Sequence, residues 1–142
     1  MENAYIKLVA ASVTQNVTLD EVKDLFMYYK DITSKTGNQL DWNYMEAAFP
    51  YTITETKENY FILKSQDTRY HTIIVGVGTD DEDSESISNG TVSGSYIQVT
   101  LPKSSTYGDK GKANEFSKFL GKKLEGELHL FNGRIMYFYK RK

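Results

Sequence analysis

The period of the apolar positions shifts repeatedly along the chain, and each shift marks an element. Residues Tyr5 to Val13 open as a strand, with Ile6 and Leu8 on one face and Tyr5, Lys7 and Val9 on the other. Thr18-Leu19-Asp20-Glu21 then spells a capping box, flanked by Val17 and Val22 at the positions of a hydrophobic staple. Val22, Leu25, Phe26, Tyr29 and Ile32 follow at helical spacing, so a helix is expected from Leu19 to about Thr36, ended by Gly37. Asp41 can cap a second, short helix carrying Trp42, Met45 and Phe49, stopped by Pro50.

Beyond Pro50 the period falls to two. Tyr51 to Thr56 and Tyr60 to Ser65 form a hairpin across Lys57-Glu58-Asn59, and Tyr70 to Val77 is a third strand. Its Ile73-Ile74-Val75 run predicts burial on both faces and a central place in a sheet. Gly78 to Gly94 carries Asp80, Asp81, Glu82, Asp83 and Glu85 among Ser, Thr and Gly, a long acidic loop expected to be flexible. Ser95 to Leu101 alternates again and Pro102 closes it; Asp109 is expected to cap a last helix with Ala113, Phe116, Phe119, Leu120 and Leu124 inward, ended by Gly126. Asn132-Gly133 predicts a two-residue type I′ hairpin pairing Phe131 with Arg134, Leu130 with Ile135 and Leu128 with Tyr137. That register puts Leu128, Leu130, Ile135, Tyr137 and Tyr139 in the core. It turns Glu127, His129, Phe131, Arg134, Met136 and Phe138 to the other face.

The resulting order, β-α-α-β-β-β-β-α-β-β, is that of an α+β fold. An antiparallel sheet of about five to seven strands should carry two main helices on one face. A chain of 142 residues suits a single domain over 1–142.

Composition adds three constraints. Cysteine is absent, which excludes disulfides, thiolate nucleophiles and Cys-type zinc sites and permits a reducing cytoplasm. No apolar run reaches the ~18 residues of a membrane span, and Met1-Glu2-Asn3 lacks the basic start of a secretory signal, so a cytoplasmic protein is expected. Aromatic residues reach 13%, with 11 Tyr and 7 Phe, which suits either a Tyr-rich sheet or a binding face. The net charge of −2 conceals a division. Residues 101–142 hold 10 Lys and Arg against 4 Asp and Glu, and residues 1–100 hold 7 against 15.

Candidate chemistry is sparse. His71 and His129 are the two histidines, so any Ser-His-Asp arrangement must use one of them. His71 fits a hydrogen-bonded sheet residue. Glu127 and His129, two apart on a strand, share a face where the carboxylate could orient the imidazole or raise its pKa, with Arg134 near the turn to hold an anion. Asp81, Asp83 and Glu85 alternate like calcium ligands, but Ser86 stands where Gly is needed and Val92 where a bidentate Glu belongs. Gly76-Val77-Gly78 lacks the third glycine of a dinucleotide fingerprint, and Gly108 to Ala113 lacks the Walker spacing. No metal or cofactor is therefore expected.

Ala4-Tyr5-Ile6-Lys7-Leu8-Val9, the Thr18 to Glu21 cap, Phe49-Pro50-Tyr51 and the ending from Gly126 to Lys142 together resemble a small family of uncharacterised proteins from Bacillus-type bacteria. The resemblance spans nearly the whole chain and implies a cytosolic bacterial protein with an α+β fold. It carries no catalytic residues.

The first functional expectation is thus a non-catalytic module binding a protein or peptide, or a second copy of the chain, on an aromatic sheet face. Glu127, His129, Phe131, Arg134, Met136 and Phe138 would form that face, joined by Trp42 and Tyr44. The alternative is a small enzyme with an apolar aromatic pocket, of the prolyl-isomerase kind. A third reading is weak phosphate or nucleic-acid binding by the basic C-terminal third, against which stands a sequence pI near 5.7 where dedicated nucleic-acid binders exceed ~9.

Overall fold

A computed structural model describes residues 1–40, 49–54, 56–79 and 94–139, with the backbone alone for 34–40. Among them are strands β1 (Glu2–Lys7), β2 (Thr52–Thr54), β3 (Tyr60–Lys64), β4 (Thr72–Thr79), β5 (Ser95–Leu101), β6 (Glu127–His129) and β7 (Ile135–Tyr137), with helices α1 (Leu19–Leu40) and α2 (Tyr107–Leu124). The strands form one antiparallel sheet in the order β2-β3-β4-β5-β1-β6-β7. Here α1 links β1 to the far edge strand β2, and α2 links β5 to β6 across β1. This is the expected α+β architecture, with two helices on one face of the sheet. Among the described residues no helix is long and apolar enough to cross a membrane.

Alternation along each strand decides which face is core. Ala4, Ile6 and Leu8, Phe61 and Leu63, Ile73 and Val75, Ile97, Val99 and Leu101, and Leu128 all point to the helices and are buried. Phe26 of α1 is the hub of this layer: its ring packs edge-on against Phe61 at 5.8 Å and Phe116 of α2 at 5.4 Å. Phe49, Tyr51 and Tyr29 extend the cluster around Phe116. Edge-to-face contacts of this kind add about 0.5–1.5 kcal/mol each beyond the area they bury.

The capping box of α1 forms as its sequence dictates. Thr18 N–H donates to Glu21 Oε1 at 2.8 Å and Glu21 N–H to Thr18 Oγ1 at 3.2 Å, with Val17 and Val22 buried beside them. The helix, however, continues past Gly37 to Leu40. The cap of α2 lies three residues earlier than expected. Thr106 is the N-cap and Asp109 its reciprocal N3 partner, with Asp109 N–H to Thr106 Oγ1 at 3.0 Å and Thr106 N–H to Asp109 Oδ2 at 2.9 Å. At the other end the helix stops one residue before Gly126, at Glu125, which takes the left-handed conformation (φ 53°). The short helix expected at Asp41–Phe49 falls outside the described residues apart from Phe49, which is buried. So do residues 80–93 of the acidic loop expected over Gly78 to Gly94, whose Gly78 and Thr79 instead belong to β4.

Two expectations about faces are corrected. Ile73 and Val75 are fully buried, but Ile74 between them is only half-buried, because no described element covers the second face of the sheet. The larger correction concerns the last hairpin. Its loop has three residues, with Leu130 N–H donating to Arg134 O at 2.8 Å and Gly133 N–H to Leu130 O at 3.0 Å. Gly133 has φ 86°, as the left-handed residue after a type I turn requires. Pairing accordingly runs His129↔Ile135, Leu128↔Met136 and Glu127↔Tyr137, one residue away from the expected register. A slip of one moves every β7 side chain to the opposite face. Met136 and Phe138 therefore pack on the core, while Ile135 and Tyr137 are exposed.

Candidate functional site

The uncovered face of the sheet can be written out from the registers alone. One row across the strands runs Tyr60, Gly76, Gln98, Tyr5, His129, Ile135. The next runs Gly78, Tyr96, Lys7, Glu127, Tyr137. A third runs Thr54, Ile62, Ile74, Thr100, Asn3. Tyrosine recurs on β1, β3, β5 and β7 of this face, whereas every described phenylalanine packs in or against the core. Tyr29, Tyr51 and Tyr70 do pack in or against the core, but of these two residue types the open face takes tyrosine alone, because a ring with a polar edge tolerates a wet face that a phenyl ring does not.

At β4 this face sinks. Gly76 and Gly78 are two apart, so both missing side chains leave the same face, and a groove of about 270 Å³ opens there. Asn59, Tyr60, Ile74, Tyr96, Gln98 and Thr100 stand around it. The Tyr96 ring leans into the space above Gly78 so closely that a Cβ on that residue would lie 2.5 Å from Cζ and Oη. A Cβ on Gly76 would meet Asn59 O at 3.1 Å and Tyr60 Cβ at 3.3 Å. Tyr96 is braced from behind by Tyr5, edge-on at 5.9 Å. The adjoining wall is held by a polar network in which Thr100 Oγ1 donates to Asn3 Oδ1 at 2.7 Å and Gln98 Nε2 to Asn3 Oδ1 at 3.1 Å and to Thr100 Oγ1 at 3.2 Å. Among the described residues no charged side chain lines the groove.

Of the residues singled out from the sequence, the structure keeps two together here. His129 Nε2 lies 2.7 Å from Glu127 Oε1, and Tyr139 Oη donates to Glu127 Oε2 at 3.1 Å, all on the open face. Phe131, Met136 and Phe138 are instead half-buried against the core, Phe138 lying close over Gly121 of α2. Arg134 is exposed at the turn, and Trp42 and Tyr44 lie outside the described residues. The groove itself was missed. Its signal was present in Gly76-Val77-Gly78, which was weighed only as a nucleotide fingerprint and not as two gaps on one face of a strand.

A second polar cluster centres on a buried carboxylate. Asp109, with no exposed surface, accepts from Tyr51 Oη at 2.6 Å, from His71 N–H at 2.9 Å, from Thr72 N–H at 3.2 Å and from Thr106 N–H at 2.9 Å. Burial raises the Tyr51 phenol far above its ordinary pKa, and the hydrogen bond to the Asp109 carboxylate raises it further. Both carboxylate oxygens are occupied, so this cluster ties α2 to β4 and to the segment before β2 rather than presenting a reactive group.

Comparison with known proteins is consistent with the architecture. No curated protein matches the chain. The crystal structure of a protein of unknown function from Bacillus stearothermophilus superposes with a TM-score of 0.58 at 41% sequence identity, covering 89% of this chain and 92% of the other. The profile of DUF1885, a domain of unknown function, matches residues 2–140. With the match running from the first strand to the last hairpin, the chain belongs to the DUF1885 family.

Proposed function

We propose that the protein is a non-catalytic binding module whose open sheet face receives an extended, uncharged peptide segment, seated on the glycine floor between Tyr60 and Tyr96. The observation that carries this reading is the groove at Gly76 and Gly78. Aromatic-lined grooves of this kind suit polyproline-type segments, which lose little entropy on docking and expose carbonyls to phenol and amide donors. Among the described residues the lining is of tyrosine, amide, hydroxyl and aliphatic groups without a charge, which favours a neutral ligand over an ionic one. The Asn3–Thr100–Gln98 network fixes one wall in advance, which reduces the ordering cost of binding. We place its action in the cytoplasm, whose reducing conditions suit a cysteine-free chain.

The test is an amide chemical-shift titration with neutral, proline-containing decapeptides, set against charged peptides of equal length. Saturable shifts are expected at Gly76, Gly78 and Gln98. Tyr60→Ala and Tyr96→Ala should each weaken binding about tenfold, as truncated aromatic anchors do. Shifts confined to other surfaces, or a preference for the charged peptides, would overturn the reading. Accelerated cis–trans exchange of the bound X-Pro bond would make the site catalytic instead.

A further inference from the structure

We infer that α2 and the β6–β7 turn form a second site, apart from the open-face groove, that binds the phosphate group of a monoester. Lys110, Asn114 and Lys118 recur at intervals of four along α2 and so share one face of the helix. The turn brings Asn132 and Arg134 up to that face, with Leu130 and Phe131 as an apolar wall, and the space enclosed is about 170 Å³. That volume accepts one tetrahedral oxyanion with part of its ester group against Phe131.

The polar groups offered are donors. Lys110 and Lys118 present ammonium groups and Arg134 a guanidinium, which matches phosphate oxygens in pairs. Asn132 spends its Oδ1 on the Arg134 N–H at 3.0 Å, so the group it has left is its NH₂. Among the described residues no carboxylate lines the pocket. Among the described residues Lys118 and Arg134 have no ion pair. Lys110 meets Glu2 at 3.0 Å, a half-exposed surface pair of the kind worth ~0–1 kcal/mol, which a dianion can displace. Lys118 and Arg134, drawn to one concavity without an ion pair among the described residues, repel one another, and a bound dianion offsets that cost. The open-face groove offers the opposite chemistry, neutral and aromatic, so the two sites select different ligands.

The same cations would also meet the singly charged phosphodiesters of a nucleic-acid backbone, and one titration separates the two ligands. Phenyl phosphate, inorganic phosphate and an oligothymidylate are each added to the full-length protein at low salt while amide shifts are followed. Phenyl phosphate or inorganic phosphate should shift Asn114, Asn132, Gly133 and Arg134 saturably. Binding of phenyl phosphate should tighten as pH rises through ~6, where a phosphate monoester takes its second charge. Replacing both exposed cations, Lys118→Gln with Arg134→Gln, should weaken it about tenfold or more at an unchanged melting temperature. The inference fails if these residues do not respond at millimolar ligand, if the double variant binds as well as the parent, or if the oligothymidylate alone binds.

Discussion

Asp109 shows how far one residue's role can differ from its sequence signature. Its position before an apolar helical repeat marks it as a cap, yet the cap is Thr106, and the Asp109 carboxylate also serves His71, Thr72 and Tyr51. Removing it with Asp109→Ala leaves buried donors without an acceptor, at about 1–3 kcal/mol for each group that finds no substitute. Tyr51→Phe isolates one of these bonds, and the raised phenol makes its contribution pH-dependent. A proton held more tightly in the folded state stabilises fully below the unfolded tyrosine pKa of ~10 and progressively less above it. Tyr51→Phe should therefore cost about 1–3 kcal/mol at pH 8. The gap to the parent should narrow by about 1.4 kcal/mol at pH 11, one unit past the unfolded pKa. Urea melts of both proteins at the two pH values read this directly; a gap unchanged by pH would show that Tyr51 ionises as readily folded as unfolded.

At the scale of elements, the difference between what was legible and what was not lies in the range of the determining contacts. The start of α1 was legible because Thr18, Glu21, Val17 and Val22 act within one turn, and strand faces were legible wherever a period of two ran unbroken. The last hairpin was not. Asn132-Gly133 fits both a two-residue I′ loop and a three-residue loop with Gly133 left-handed, and local preference does not separate them. Packing decides: the observed register sends Met136 and Phe138 onto the core beside Gly121, where the alternative would have sent Ile135 and Tyr137. The aromatic face expected from sequence was therefore divided, and the groove at Gly76 and Gly78 became recognisable only once the registers set Tyr60 and Tyr96 on either side of it. Gly133→Ala should destabilise by about 1 kcal/mol through its positive φ, while Asn132→Ala, which removes the acceptor for the Arg134 N–H, should cost about the same or less. Equal thermal stability of Gly133→Ala and the parent would mean that the loop can change its conformation, and with it the register.

At the scale of the whole molecule, the described helices cover one face of the sheet, and its two faces should respond differently to the same kind of cut. On the helix side Phe26 has no exposed surface and touches Phe49, Phe61 and Phe116, so Phe26→Ala should cost ~3–5 kcal/mol. That is a large share of the ~5–15 kcal/mol that keeps a typical domain folded. On the open side Tyr60 loses a half-buried ring from a surface that water already reaches, so Tyr60→Ala should cost no more than about 1 kcal/mol, or ~2–4 °C in melting temperature. The same substitution is the one expected to weaken peptide binding about tenfold. Stability and binding would then be carried by opposite faces, the first by phenylalanines with Tyr29 and Tyr51, the second by the tyrosines of the open face. A pair of thermal melts decides the matter before any ligand is added. If Tyr60→Ala proves as damaging as Phe26→Ala, the tyrosine face is buried beneath another layer in solution, and it is structural rather than available to a partner.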